Sequence, residues 1–327
     1  MPANLTPQYL AAEKALHAAR TTLERIACLE EMLAVMPKHK GTDHLRAELR
    51  TKIARLTQSL DKKTATQRAT MVIEKAGAAQ VAVIGPPNTG KSQLVASLTK
   101  ATPIVAAYPF TTQAATPGMM EFENIQIQLI DTPPLSDQPP EWWLVNIIKR
   151  ADGLLLVVAL DEDPLGQVES ILAILHEKRI GLGRAPDNAP EDEDAPVTWK
   201  KALLVANKAD LDPGGAVFQI LHELYREKLP AIAISAPGQG LEELRPKIFE
   251  MLDIIRVYTK TPGGKPDMTD PIILEKGSTL EAAAASVHKD FASKLKFARI
   301  WGSGKFEGVM ARRDHVLQDG DIIELHV

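Results

Sequence analysis

Two glycines separated by four residues, the second followed by lysine and serine, form a spacing suited to phosphate chemistry. Gly85-Pro86-Pro87-Asn88-Thr89-Gly90-Lys91-Ser92 fits this GxxxxGKS pattern. In such a loop, backbone N–H groups and the next helix N-terminus face phosphate oxygens, the lysine brings a point charge to the β and γ oxygens, and the serine hydroxyl ligates magnesium. Gly85 and Gly90 leave room for the backbone to approach. The pattern needs a strand before it and a helix after it. Val81–Ile84 is a continuous apolar run and Gln93–Leu98 has helical spacing, so the loop joins a buried strand to a helix. The candidate phosphate-binding residues are therefore Gly85, Pro86, Pro87, Asn88, Thr89, Gly90, Lys91, Ser92 and Gln93.

Further candidates lie on or at the ends of later strand-like segments. Ile125–Ile130 delivers Asp131-Thr132-Pro133-Pro134, whose carboxylate can hold a magnesium-bound water. Tyr108-Pro109-Phe110-Thr111-Thr112 lies where a nucleotide-sensing loop is expected, and Thr112 can complete the magnesium shell, giving Ser92, Thr112 and Asp131 as metal ligands. Leu203–Ala206 ends in Asn207-Lys208-Ala209-Asp210, an NKxD pattern. The Asp210 carboxylate can accept two hydrogen bonds from guanine N1 and N2, an arrangement that adenine does not offer. Ser235-Ala236 ends the next apolar run, and its backbone can meet the guanine O6. Together these point to GTP and GDP with Mg2+.

Elements of two periods must position these groups. Residues 80–252 alternate strand-like and helix-like segments, the sign of a parallel sheet covered on both faces. Strands are expected at 80–85, 118–122, 124–131, 153–160, 201–207 and 230–235. Helices are expected at 91–100, 141–150, 164–178, 215–227 and 239–254. Ligands of such sheets collect at the carboxyl ends of the strands, where all the candidates but Thr112 stand. Before this unit, apolar residues from Leu16 to Leu33 and from Leu45 to Leu56 recur at helical spacing, separated by Pro37–Thr42, which predicts a helical hairpin. Residues 257–327 read as a small β-grasp fold, with strands near 271–274, 297–301 and 322–326 and a helix over 279–293. The fold class is α/β, a doubly wound P-loop sheet flanked by these two modules. The domains are 1–78, 79–256 with a flexible acidic loop at 185–196, and 257–327.

The composition narrows the setting. A chain of 327 residues, 45% hydrophobic and 24% charged, is ordinary for globular protein. Its one cysteine, Cys28, excludes a disulfide framework and suits a reducing, cytoplasmic compartment, with Cys28 as a small core residue. No apolar run reaches the roughly 18 residues of a membrane helix. The net charge is −4, yet residues 1–78 hold 13 Lys and Arg against 8 Asp and Glu. That basic excess suits RNA contact or a solvated helix face equally.

GPPNTGKS, YPFTT, DTPP, NKAD and the Ser-Ala pair resemble the five guanine-nucleotide motifs of an Obg-superfamily GTPase, and YPFTT is similar to its Obg and DRG (developmentally regulated GTP-binding) branches. Pro266-Asp267, Thr269–Pro271, Gly277–Thr279, Trp301–Ser303 and His315–Ile323 resemble the TGS domain of DRG proteins. The resemblance covers nearly the whole chain. It implies a slow GTP hydrolase in which Lys91, Thr112 and Asn88 carry the catalytic roles. It also implies partners among ribosomes or RNA, a stabilising or activating protein, and no membrane. Two departures stand out. Residues 176–200 are too few for the folded insert of eukaryotic DRG proteins, and Pro134 replaces the glycine of DxxG, so it has no N–H for a γ-phosphate. Leu135 stands where a water-orienting glutamine is found in Ras-type proteins. A stiff, apolar second switch over 135–143 is expected.

Two questions stay open at this level. Asn88 either ligates K+ beside the phosphates or only stabilises the loop's turn. Pro134 and Leu135 equally suit a nucleotide-binding RNA or ribosome adaptor with negligible hydrolysis. An ATPase is disfavoured by Asp210.

Overall fold

The computed structural model describes residues 22–36, 48–52, 73–99, 114–136, 139–183, 196–288, 295–303 and 308–326, together with Leu16, Arg55 and Phe291. The chain divides into two compact units, Met1–Val72 and Ile73–Val327. In the first unit, α1 (Thr22–Val35) buries Leu29, Met32 and Met36 around Leu49, which belongs to a second helical stretch. Cys28 is half-buried, less enclosed than its expected core position. The hairpin tip at 37–42 lies outside the described residues.

The second unit begins earlier than the expected boundary at 79. Ala78 donates its N–H to the Gln126 carbonyl at 2.8 Å and Ala76 to the Gln128 side chain at 3.3 Å. Residues 73–78 are thereby fastened to the sheet. That sheet has seven strands: β1 (Ala79–Ile84), β2 (Thr116–Phe122), β3 (Ile125–Asp131), β4 (Gly153–Ala159), β5 (Ile180–Leu182), β6 (Thr198–Asn207) and β7 (Ala231–Ala233). Its order is β2-β3-β1-β4-β6, with β5 and β7 pairing successive parts of β6. All pairs are parallel except β2 with β3.

β1 and β4 are buried at every residue, as strands covered on both faces must be. On one face Val81, Val83, Leu155, Val157, Leu203 and Val205 pack against Leu94, Val95 and Leu98 of α2 (Lys91–Leu98). They also meet Leu244, Ile248 and Leu252 of a later helix, Leu241–Leu252. Strand alternation turns Ala82, Ile84, Leu154, Leu156 and Val158 to the opposite face. There α4 (Pro164–Glu177) packs on β4 and β5, after α3 (Trp142–Arg150). α5 (Ala216–Tyr225) and α6 (Leu241–Leu252) complete the set.

Three sequence expectations need correction. β5 was not expected, and β6 begins three residues before 201. The helix expected over 239–254 stops at Leu252, because Asp253 adopts a left-handed φ of 53° that a right-handed helix cannot continue. Ile254–Lys260 is instead a strand, β8, so the expected 256/257 boundary cuts through it.

β8 opens a second sheet with β9 (Pro266–Glu275), β10 (Phe297–Trp301), β11 (Val309–Ala311) and β12 (Ile322–His326), ordered β11-β10-β12-β8-β9. β12 runs parallel to β8 and the other pairs are antiparallel. α7 (Leu280–Val287) covers one face, its first turn capped by the Thr279 hydroxyl, with Leu280, Ala283 and Ala284 against Val257, Ala298, Ile300 and Ile323. It ends at Val287, short of the expected 293, since His288 is extended with φ −166°.

The two sheets meet at a turn. Arg256 of β8 gives a forked pair of hydrogen bonds to Asp319, at 3.1 and 2.7 Å. The same guanidinium pairs with Glu123 and reaches the Asn124 side chain at 3.2 Å. Glu123 and Asn124 form the β2–β3 turn. Phe249 of α6 lies under the guanidinium at 5.0 Å, and Asn124 donates to the Tyr258 hydroxyl at 2.6 Å.

Candidate nucleotide site

The loop after β1 is shaped by close approach. A side chain at Gly85 would place Cβ 2.2 Å from the Val157 carbonyl, and one at Gly90 would meet the Asn207 amide at 2.4 Å. Gly90 also has φ 83°, which only glycine adopts without strain. Asn88 is left-handed too, at φ 63°, a conformation asparagine tolerates. Thr89 is buried, its hydroxyl donating to the Pro86 carbonyl at 3.1 Å. Lys91 is 6% exposed and its Nζ donates to the same carbonyl at 2.6 Å. Burial pushes this lysine down to about 8, against the opposing pull of Asp131.

A cleft of about 580 Å³ opens beside this loop, lined by Pro87, Asn88, Gly90, Lys91, Ser92, Gln93 and Asp131 among others. Asp131, at the end of β3, has one carboxylate oxygen buried with no hydrogen-bond partner. Burial pushes its carboxyl up, while a hydrogen bond from Ser92 and the Lys91 charge pull it down. A buried carboxylate oxygen is not left bare without reason. Beside Ser92 in a polar cleft, the Asp131 carboxylate suits a hard cation that keeps its own water. The third expected metal ligand, Thr112, lies outside the described residues, as does the rest of YPFTT.

After Asp131 the chain is pinned to the loop. The Thr132 hydroxyl donates to Val83 at 2.8 Å. Leu135, 4% exposed, gives its N–H to the Gly85 carbonyl at 2.9 Å. Sequence reasoning identified Pro134 as lacking a donor but missed that the next donor is engaged with the loop backbone.

The base-recognition candidates gather where β6 and β7 end. Asn207 is 1% exposed; its amide donates to the Thr89 carbonyl at 2.8 Å and accepts from the Ala236 N–H at 3.0 Å. It braces the phosphate loop against the Ser235-Ala236 loop. The Ser235 N–H is directed to Gln239 at 2.9 Å. Both backbone donors of the Ser-Ala pair, expected to meet the guanine O6, are therefore engaged within the protein. The Ser235 hydroxyl instead bonds Asp210. Lys208 ion-pairs with Asp161 at 2.8 Å. Asp161 had no place among the sequence candidates, although it closely follows β4 at the carboxyl edge of the sheet.

Comparison with known proteins bears on this arrangement. A family model described as 50S ribosome-binding GTPase matches residues 80–183, and a TGS domain model matches residues 255–327. An uncharacterized GTP-binding protein of Methanocaldococcus jannaschii is 29% identical over 359 aligned positions, covering 92% of each chain. The developmentally-regulated GTP-binding protein 2 homolog of Dictyostelium discoideum is 27% identical, over 93% of this chain and 98% of its own. The chain is similar to DRG GTP-binding proteins over about 93% of its length, with a GTPase domain followed by a C-terminal TGS domain. Among solved structures, the Schizosaccharomyces pombe YchF GTPase has a TM-score of 0.47 at 15% identity, over 77% of this chain and 99% of that one. The DRG-like alignments exceed the 327 residues of this chain, so its relatives carry residues that it lacks. Among the described residues no helix is long and apolar enough to cross a membrane.

Proposed function

We propose that this DRG-like chain binds GTP with Mg2+ and hydrolyses it to GDP and phosphate, serving ribosome- or RNA-associated translation or growth control in the cytoplasm. The observation that carries the reading is Asp131, which lines the same cleft as Ser92 and Lys91 and carries a buried carboxylate oxygen without a hydrogen-bond partner. Ser92, Asp131 and Thr112 would hold the metal. When bound, the ion neutralises charge on the β and γ phosphates. Lys91 supplies a second positive charge, and its burial strengthens that interaction by excluding water. Asn88 lines the cleft with an exposed side chain, which suits K+. Asp210 selects guanine, with its carboxylate oriented by Ser235. We assign the helical module to 1–72, the G domain to 73–253 and the TGS domain to the rest, placing the first boundary before the residues fastened to the sheet and the last before β8.

No described residue in the cleft is placed as a general base, so unaided turnover is slow and an activating protein is the partner that would raise it. One observation favours the adaptor reading instead. Pro134 has no N–H and Leu135 has engaged its own with Gly85, which leaves neither of these two positions of the second switch with a donor for a γ-phosphate. Single-turnover phosphate release, with radiolabelled GTP and protein in excess, separates the readings. Release that depends on Mg2+ and disappears in Lys91→Ala supports hydrolysis. Tight GTP binding with no release above the buffer rate would leave an adaptor.

A further inference from the structure

We propose that the outer face of the TGS sheet, at Phe297, Arg299, Trp301 and His326, is a stacking platform for unpaired RNA bases. The proposal rests on the RNA reading above and names where the TGS domain would make the contact. Strand alternation sets the geometry. Ala298, Ile300 and Ile323 point into the core under α7, so Phe297, Arg299 and Trp301 of β10 and Glu324 and His326 of β12 point the other way. The register sets Phe297 opposite His326 and Arg299 between Glu324 and Met310.

Part of this face is already covered. Arg256 and Tyr258 of β8 meet the β2–β3 turn of the G domain. The strands farther from that contact remain open among the described residues, where Arg299 is exposed and Met310 is 63% exposed.

The rings are held in place before any ligand arrives. Phe297 and His326 stack at 4.3 Å with an interplanar angle of 14°, and the Lys260 ammonium lies 4.1 Å from the Trp301 ring centre. Phe297 and Trp301 are four residues apart on β10, about 13–14 Å along the strand, with Arg299 midway between them. That spacing allows two bases of an extended single strand to find separate rings. Flat, sequence-tolerant stacking on a sheet is the mode by which unpaired RNA is held, whereas duplex RNA hides its base faces.

The charge of the face also favours a phosphate backbone over an acidic or neutral partner. Asp319 is engaged by Arg256, Asp321 by Ser303 and the Gln318 N–H, and Glu324 by Lys260 and His326. Among the described residues Arg299 has no such partner. The three acids just named are thus engaged within the fold, while the Arg299 cation is left on the surface of this face. A guanidinium between two rings can both pair with phosphate and stack on a base.

The test uses the full chain loaded with GDP. A benzophenone photocrosslinker replaces exposed Met310, and adducts formed in cells are divided by RNase and protease sensitivity. In parallel, a labelled 12-nucleotide oligouridylate and an RNA duplex of the same length are titrated against the native chain and three variants. The expected result is an RNase-sensitive adduct, tighter binding of single strand than duplex, and about tenfold or greater weakening in Trp301→Ala and Arg299→Glu. Trp301→Phe should keep most of the affinity, and unchanged GDP binding in all three variants shows that the G domain is intact. RNA binding that is the same in native chain and variants, with adducts absent at position 310, overturns this site while leaving the RNA reading in place. A protease-sensitive, RNase-resistant adduct overturns it in favour of a protein partner. No RNA binding by the native chain removes the RNA reading as well.

Discussion

Replacing Asp131 by asparagine separates what the carboxylate costs the nucleotide-free protein from what it contributes with magnesium. An unpartnered buried polar atom costs about 1–3 kcal/mol, and Asp131 carries one while its carboxyl is pushed up by burial. Asparagine keeps the shape, removes the charge and gives up the attraction to Lys91. These changes oppose one another, so nucleotide-free stability should move by no more than about 1 kcal/mol in either direction. For a protein this large that is about 2–4 °C in melting temperature. The ligand effect is different. A ligand at 100 times its dissociation constant adds about 2.7 kcal/mol, or about 5–11 °C on the same scale. Melting curves are recorded for native chain and Asp131→Asn with a non-hydrolysable GTP analogue, in Mg2+ or in EDTA. The native chain should gain several degrees on adding Mg2+, and the variant should keep only the metal-independent gain. An equal magnesium increment in both proteins would refute the assignment of Asp131 to the metal. A large fall in the melting temperature of nucleotide-free Asp131→Asn would show that the bare oxygen has a stabilising partner after all.

Other outcomes follow from the same geometry. Lys91 is pushed down to about 8 from 10.5, so between those values the unfolded chain binds more protons than the folded one and nucleotide-free stability should rise with pH; Lys91→Met should flatten that rise in pH-dependent denaturation. Asp210→Asn should weaken GTP by a few kcal/mol and favour xanthine nucleotides, and unchanged GTP affinity in a competition titration would take this loop out of the base site. Arg256→Ala should destabilise the second unit near the lower end of about 3–5 kcal/mol, since the Asp319 side chain is 34% exposed. Strict additivity with Asp319→Ala in chemical denaturation would show that the pair is not coupled. Turnover should be faster in K+ than in Na+ at constant ionic strength and lose that preference in Asn88→Ala; equal rates in both salts would leave Asn88 with only the turn that its φ of 63° supports.

The parts of the fold that were legible in the sequence are those fixed by local pattern. β1, β4 and β6 contain apolar runs bounded by polar turns, β3 alternates before its apolar end, and GPPNTGKS, DTPP and NKAD each sit at a strand's carboxyl end because such sheets place their loops there. Ile180–Leu182 was missed because three residues carry no period. β8 was misread for the opposite reason. Ile254 and Ile255 continue the apolar spacing of α6, and only the left-handed Asp253 between them and Leu252 breaks the helix. A single backbone dihedral outweighed a run of favourable side chains.

What could not be read was pairing across the chain. Arg256 finds Glu123 and Asp319 at sequence separations of 133 and 63 residues, and nothing in any of the three segments marks the others. The same limit applied inside the nucleotide site. Asn207 was assigned to the ligand by its motif, yet a motif records residue type and order, whereas the hydrogen bonds to Thr89 and Ala236 depend on where two distant loops come to rest. The Leu135 N–H is a stricter case, since a backbone donor has no sequence signature at all. Pro134 could be recognised as unable to donate because proline declares it. That the following residue had already directed its donor to Gly85 required the fold, and it is this backbone bond that makes the state of the second switch the point on which hydrolysis and mere binding divide.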